Sequence, residues 1–146
     1  MDIFHQILWG SVFLTLCTVV HVMAFAIGMP VVTWVGEHAG GRGWRTPGKS
    51  FAILLTALGA VIGSHTVQIW IWAFIFVHTE VIPDWNGAVY FSIVTYTTLG
   101  YGDIVLGEGL RIYATFAAIA GLLSFGISTA FLVEVFGHAG RANRRE

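Results

Sequence analysis

Three unbroken apolar stretches, residues 7–29, 51–77 and 112–136, constrain most tightly what this chain can fold into. A helix rising 1.5 Å per residue needs about 20 apolar residues to cross a hydrocarbon core about 30 Å thick, and each stretch is long enough. Composition agrees, with 56% of the 146 residues hydrophobic and only 10% charged, where soluble domains carry about 25% charge. An all-α integral membrane protein of one domain is expected. A net charge of −1 gives no basis for binding nucleic acid. The single cysteine, Cys17, lies in an apolar run and excludes an intrachain disulfide. The first stretch is expected to be retained rather than cleaved as a signal peptide. No Lys or Arg precedes it, and it exceeds the apolar core of about 7–15 residues that such peptides have.

Charge placement gives an orientation. Arg42, Arg45 and Lys49 lie between the first and second stretches, and Arg141, Arg144 and Arg145 follow the third. Basic segments stay on the cytoplasmic side, so residues 37–50 and the tail 138–146 are expected there, two spans apart. The segment joining the second and third stretches carries Glu80, Asp84, Asp103 and Glu108 against Arg111. That segment and the amino terminus are expected outside. The first span, residues 1–36 with its flanks, is expected to end at Pro30, with Trp9 and Trp34 as interfacial anchors. A small chain with one cysteine suits a prokaryotic inner membrane.

The outer segment is too apolar for a solvated loop. Pro83-Asp84 is a helix start, with Asp84 able to cap a helix over residues 85–97. Such a helix is about 18–20 Å long, too short to cross, so it must enter the membrane and turn back. Its carboxyl end, where the dipole is negative and favours a cation, brings Thr97-Thr98-Leu99-Gly100-Tyr101-Gly102-Asp103 to membrane depth. Irregular backbone survives there only if it is buried in protein or lines a watery cavity. Gly100 and Gly102 alone in the run readily take positive φ. Glycine alternating with other residues lets successive carbonyls point to one side. Four such strands around an axis would stack rings of oxygen, with the Thr98 hydroxyl adding another, in which a monovalent cation could exchange its hydration shell.

The run Thr97 to Asp103 resembles the potassium-channel signature, in which loops from four subunits form a selectivity filter. Residues 85–97 resemble that family's pore helix, and Ala120-Gly121 through Thr129-Ala130 resemble its inner helix. The resemblance spans residues 51–137: outer helix 51–79, pore helix 85–97, filter 98–103 and inner helix 110–137, preceded by an additional transmembrane helix. It implies a homotetramer in a lipid bilayer. Potassium would be the permeant ligand, with no other cofactor, held by carbonyls of Thr98, Leu99, Gly100 and Tyr101, and Gly102 would complete the filter. It implies support from Thr97, Asp103, Tyr90 and Val94, a hinge at Gly121, and a cavity lined by Leu122, Phe125, Thr129 and Val133. Leu99 stands where a β-branched residue is usual. Val94 stands where some members have a Glu that bonds the aspartate, so Asp103 must find another partner, Tyr90 being the candidate. Phe91 replaces an indole donor and Leu106 a proline, and the filter's restraint and inactivation are expected to differ accordingly.

The first span has no repeated Arg or Lys and cannot be a voltage sensor of the usual kind. His21, His65 and Gln68 lie inside spans, where interhelical hydrogen bonds between the additional helix and the outer helix are expected. No metal-binding spacing accompanies them. Four copies of Glu134 around one axis would repel when ionised, so protonation there, with His138 one turn on, is expected to alter the inner mouth. The function expected is passive, selective potassium conduction, with no enzymatic activity. The alternatives are a weakly selective cation channel and a non-conducting accessory subunit.

Overall fold

The computed structural model describes residues 2–38 and 47–142, with backbone alone at 47 and 138–142. Four helices follow in order: α1 (Ile3–His38), α2 (Pro47–His78), α3 (Trp85–Tyr96) and α4 (Glu108–Ala142). Three are long and apolar enough to cross a membrane, whereas α3 has 12 residues. The fold is that of an all-helical membrane protein, with one short helix set between two long ones.

The long helices overrun the apolar stretches. Pro30 does not end α1, which continues through it to His38. Proline removes one backbone donor, but in lipid the alternative to continuing the helix is several backbone groups without partners. The expected basic loop 37–50 is also trimmed: residues 37–38 belong to α1, and 47–50 belong to α2, whose first residue is Pro47. Proline suits a first helical position because the N–H it lacks would have no partner there. Arg42 and Arg45 lie outside the described residues. Helix α4 likewise passes residue 137 and reaches Ala142, because a helix leaving the bilayer can continue in water on polar residues. Arg144 and Arg145 lie outside the described residues.

Helix α1 is wedged between α2 and α4, meeting each over a much longer interface than α2 and α4 share. Toward the end that carries the α2–α3 turn, Cys17, Trp72, Phe76, Phe91, Tyr96 and Tyr113 form one buried apolar cluster. Toward the other end, Phe25 of α1 stacks on Phe131 of α4, ring centroids 4.3 Å apart. Lipid tails are as apolar as these side chains, so close fit rather than transfer from water must hold such helices together. Gly10 supplies that fit: a Cβ built on it would stand 2.3 Å from the Phe116 ring. Gln6, also buried, accepts the Tyr113 N–H at 3.3 Å and ties α1 to α4 at the same level.

Gly10→Val should therefore cost about 1–3 kcal/mol through overpacking, read as a lower unfolding midpoint in detergent. Gly59→Ala, with nothing within 4 Å of the added carbon, should be neutral or slightly stabilising because alanine is the better helix former.

Candidate functional site

Helix α3 is held at its start by Asp84, whose backbone is extended and whose side-chain Oδ2 accepts the Gly87 N–H at 2.7 Å. This is the cap that the Pro83-Asp84 pair predicts. Trp85 beside Trp70, centroids 6.3 Å apart, sets the amino end of α3 against α2.

The turn leading into α3 and the turn leaving it use the same hydrogen-bond pattern. At the end of α2, Glu80 takes φ 55° while the Val81 and Ile82 N–H groups both donate to the Phe76 carbonyl, at 3.0 and 3.1 Å. At the end of α3, Thr98 takes φ 60° and its N–H donates to the Thr95 carbonyl. The Leu99 and Gly100 N–H groups then both donate to the Val94 carbonyl, at 2.9 and 3.2 Å. Each turn is a Schellman motif, with a left-handed residue just past the helix, where glycine is usual. A β-branched residue at that position is strained by about 1–3 kcal/mol. The Val94 side chain is buried, and its carbonyl is the shared acceptor of this turn.

Left-handed backbone recurs at every second position beyond α3: Thr98 at 60°, Gly100 at 55° and Gly102 at 77°, while Leu99 and Tyr101 keep negative φ. The two glycines behave as expected, and Thr98 joins them. Such alternation turns successive carbonyls to one side, which a strand cannot do. Among the described residues, no backbone N–H bonds the carbonyls of Thr98, Leu99, Gly100 or Tyr101. The flanking side chains stand open in the single chain, Leu99 55% and Tyr101 66% exposed. Thr97 closes α3, its hydroxyl donating to the Ile93 carbonyl at 2.7 Å.

Beyond the loop the Tyr90 hydroxyl donates to Asp103 Oδ2 at 2.5 Å, and Asp103 Oδ1 accepts the Ile104 N–H. The tyrosine bond, ahead of the backbone contribution, holds the Asp103 carboxyl below its ordinary 3.8. Phe91 packs against Phe76, centroids 5.2 Å apart, and Leu106 is buried in the same cluster.

A family model for ion channels matches residues 62–138, a little over half of the chain. The chain belongs to this ion channel family. No curated protein and no solved structure matches it. The matched residues run from the middle of α2 through α3 and the loop to α4, and α1 lies outside them.

On α4, Leu122, Phe125, Thr129 and Val133 share an exposed stripe, and Glu134 beside them is exposed too. His138 has no described side chain. Gly121 is not on that stripe. It is buried, and a Cβ built on it would stand 1.8 Å from the carbonyl oxygen of Tyr96, the last residue of α3. Sequence reasoning missed Tyr96, Ser124 and Ser128, which are buried, Tyr96 and Ser128 hydrogen-bonded to the histidines singled out above and Ser124 to Gln68. The available signal was His65, a polar side chain inside a span that needed partners.

Because the Tyr96 carbonyl is backbone, Gly121→Ala cannot be absorbed by a rotamer change, and it should cost about 1–3 kcal/mol in detergent unfolding. Tyr90→Phe should bring the Asp103 carboxyl back up toward 3.8, read by NMR titration. The sign follows from the lowered value: the stabilisation from this pair is complete above 3.8 and is lost as pH falls through the folded value, so changes near neutrality leave it intact.

Proposed function

We propose that the chain is the subunit of a potassium-selective channel, four copies surrounding one axis and conducting passively down the electrochemical gradient. The observation that carries this reading is left-handed backbone at Thr98, Gly100 and Gly102 with the intervening carbonyls free of backbone partners. A cation leaves water only for oxygens that replace its hydration shell. Carbonyls of Thr98, Leu99, Gly100 and Tyr101, repeated four times, supply such oxygens, and Gly102 keeps the last of them turned inward. Leu99 contributes through its backbone, so its missing β-branch alters stiffness rather than ligand chemistry.

The surfaces left open by one chain support assembly. The loop and the stripe of Leu122, Phe125, Thr129 and Val133 are exposed in the single chain, and a fourfold arrangement would put both on the axis, the loop as filter and the stripe as cavity wall. Thr97, Val94, Tyr90 and Asp103 act as its support. The negative end of α3 points where an ion would lose its water. The distribution of Lys and Arg supports an orientation with the loop's Asp103 end outside and the end of α4 in the cytoplasm, where Glu134 would meet its three copies.

The test is the purified chain reconstituted in vesicles, with reversal potential measured in opposed potassium and sodium gradients. The potential should follow potassium alone. A potential indifferent to the cation would indicate a weakly selective pore, and absence of potassium current would indicate an accessory subunit. Either result overturns the proposal.

A further inference from the structure

Six side chains from all four helices form one continuous hydrogen-bonded chain. The Ser124 hydroxyl of α4 donates to Gln68 Oε1 of α2 at 3.0 Å. Gln68 Nε2 lies 2.7 Å from His21 Nδ1 of α1, and His21 Nε2 lies 3.1 Å from the Ser128 hydroxyl of α4. That hydroxyl lies 3.0 Å from His65 Nε2, and His65 Nδ1 lies 2.8 Å from the Tyr96 hydroxyl at the end of α3. One placement of hydrogens satisfies every bond with both imidazoles neutral. Gln68 donates to His21, His21 to Ser128, Ser128 to His65, and His65 to the Tyr96 oxygen. His21, Gln68 and Tyr96 are wholly buried, and Ser124 and Ser128 nearly so.

Adhesion between α1 and α2 would need only the Gln68–His21 bond. The chain goes further and ends on Tyr96, one residue before Thr97 and two before the strained Thr98. Tyr96 is gripped at three points: its hydroxyl by His65, its carbonyl by the close approach of Gly121, and its ring by Phe125 at 6.1 Å. The Phe125 ring also lies 4.6 Å from that of His65. Fixing Tyr96 fixes the carboxyl end of α3, from which the Val94 and Thr95 carbonyls hold the first residues of the loop.

We infer that His21, Ser128, His65 and Tyr96 are positioning residues for the filter, a strut by which α1 restrains the base of the loop from behind. This rests on the channel reading above. The helix outside the family match is thereby a determinant of how long the filter stays conductive, although it touches no ion.

The test compares the native chain with Tyr96→Phe, His21→Phe, Ser128→Ala and the double variant Tyr96→Phe/His21→Phe, each reconstituted as the full chain. Tyr96→Phe removes one hydroxyl and keeps the ring, and His21→Phe keeps the ring volume. The rate of current decay under a sustained potassium gradient should rise about fivefold in Tyr96→Phe, the size that loss of one net hydrogen bond carries, and at least as much in His21→Phe and Ser128→Ala, each of which removes two. The double variant should decay no faster than the quicker single one, because the two residues act through one chain. Unchanged decay in Tyr96→Phe, or additive effects in the double variant, overturns the inference. Amide hydrogen exchange at Leu99 and Gly100 gives a second readout that needs no conduction. It should quicken in all three single variants of the assembled protein, and unchanged exchange overturns the strut. Native chains that pass no potassium sink the channel reading, and the exchange result then decides the strut alone. Should His21→Phe fail to assemble, Ser128→Ala and its double variant with Tyr96→Phe carry the same comparison.

Discussion

Backbone that leaves a helix inside a membrane must find its hydrogen bonds within the protein, and this chain meets that demand with one carbonyl near the end of α2 and one near the end of α3. The Phe76 carbonyl takes two N–H groups of the turn into α3, and the Val94 carbonyl takes two of the turn out of it. Both turns place a side-chain-bearing residue, Glu80 or Thr98, in the left-handed region, where glycine would sit without strain. The reason differs by location. Glu80 stands between α2 and α3, where the turn only reverses the chain. Thr98 opens the alternating stretch, and on the channel reading its hydroxyl would add a ring of oxygens that glycine could not. The N–H groups of Leu99 and Gly100 are occupied by the Val94 carbonyl, and among the described residues no backbone N–H takes the carbonyls from Thr98 to Tyr101.

The same scarcity of partners explains the polar chain between the helices. Histidine, glutamine and serine are expensive in hydrocarbon unless bonded, and close packing alone must otherwise join helices that gain nothing from leaving lipid for each other. Helix α1 uses both devices. Gly10 lets it approach α4 at Phe116, Phe25 stacks on Phe131, and between those levels His21 reaches Gln68 and Ser128. The apolar contacts fix how close α1 lies, and the polar ones fix its rotation and its height, because an imidazole satisfied at both nitrogens tolerates little sliding. Through Ser128 the same network reaches His65.

Much of this was legible in the residues, for identifiable reasons. Apolar length gave the three spans, Pro83-Asp84 gave the start of α3, and the need of Asp103 for a donor pointed to Tyr90 thirteen residues earlier. The expectation that His21 and Gln68 join α1 to α2 also matches the structure. What was hidden depended on contacts between distant elements or on local energy balances. Pro30 reads as a stop, yet lipid makes stopping worse than continuing. Thr98 does not read as left-handed, because the helix end that forces it is set by bonds to Thr95 and Val94. Ser124 and Ser128 look like ordinary residues of a membrane helix until α1 and α2 are laid against them. Tyr96 carries no motif, and only its neighbours make it a junction.

Gly121 brings these strands together and sharpens what a hinge there would require. A glycine that bends needs space to bend into, and one side of Gly121 is filled by the Tyr96 carbonyl, too near for even a methyl group. Rotation of the lower part of α4 about this point would have to move away from α3 or carry the end of α3 with it. The second route disturbs Val94 and Thr95, whose carbonyls hold the loop. It also strains His65 and Ser128, which join Tyr96 to α4 itself. A motion of the carboxyl-terminal part of α4 that leaves the loop undisturbed is therefore confined to a swing away from α3. Below Gly121 the tether between α4 and α1 at His21–Ser128 and Phe25–Phe131 must move with it or yield. The hydroxyl of Tyr96 bonds His65 and its carbonyl abuts Gly121, so on the strut inferred above the loop and α4 would be coupled through this one residue.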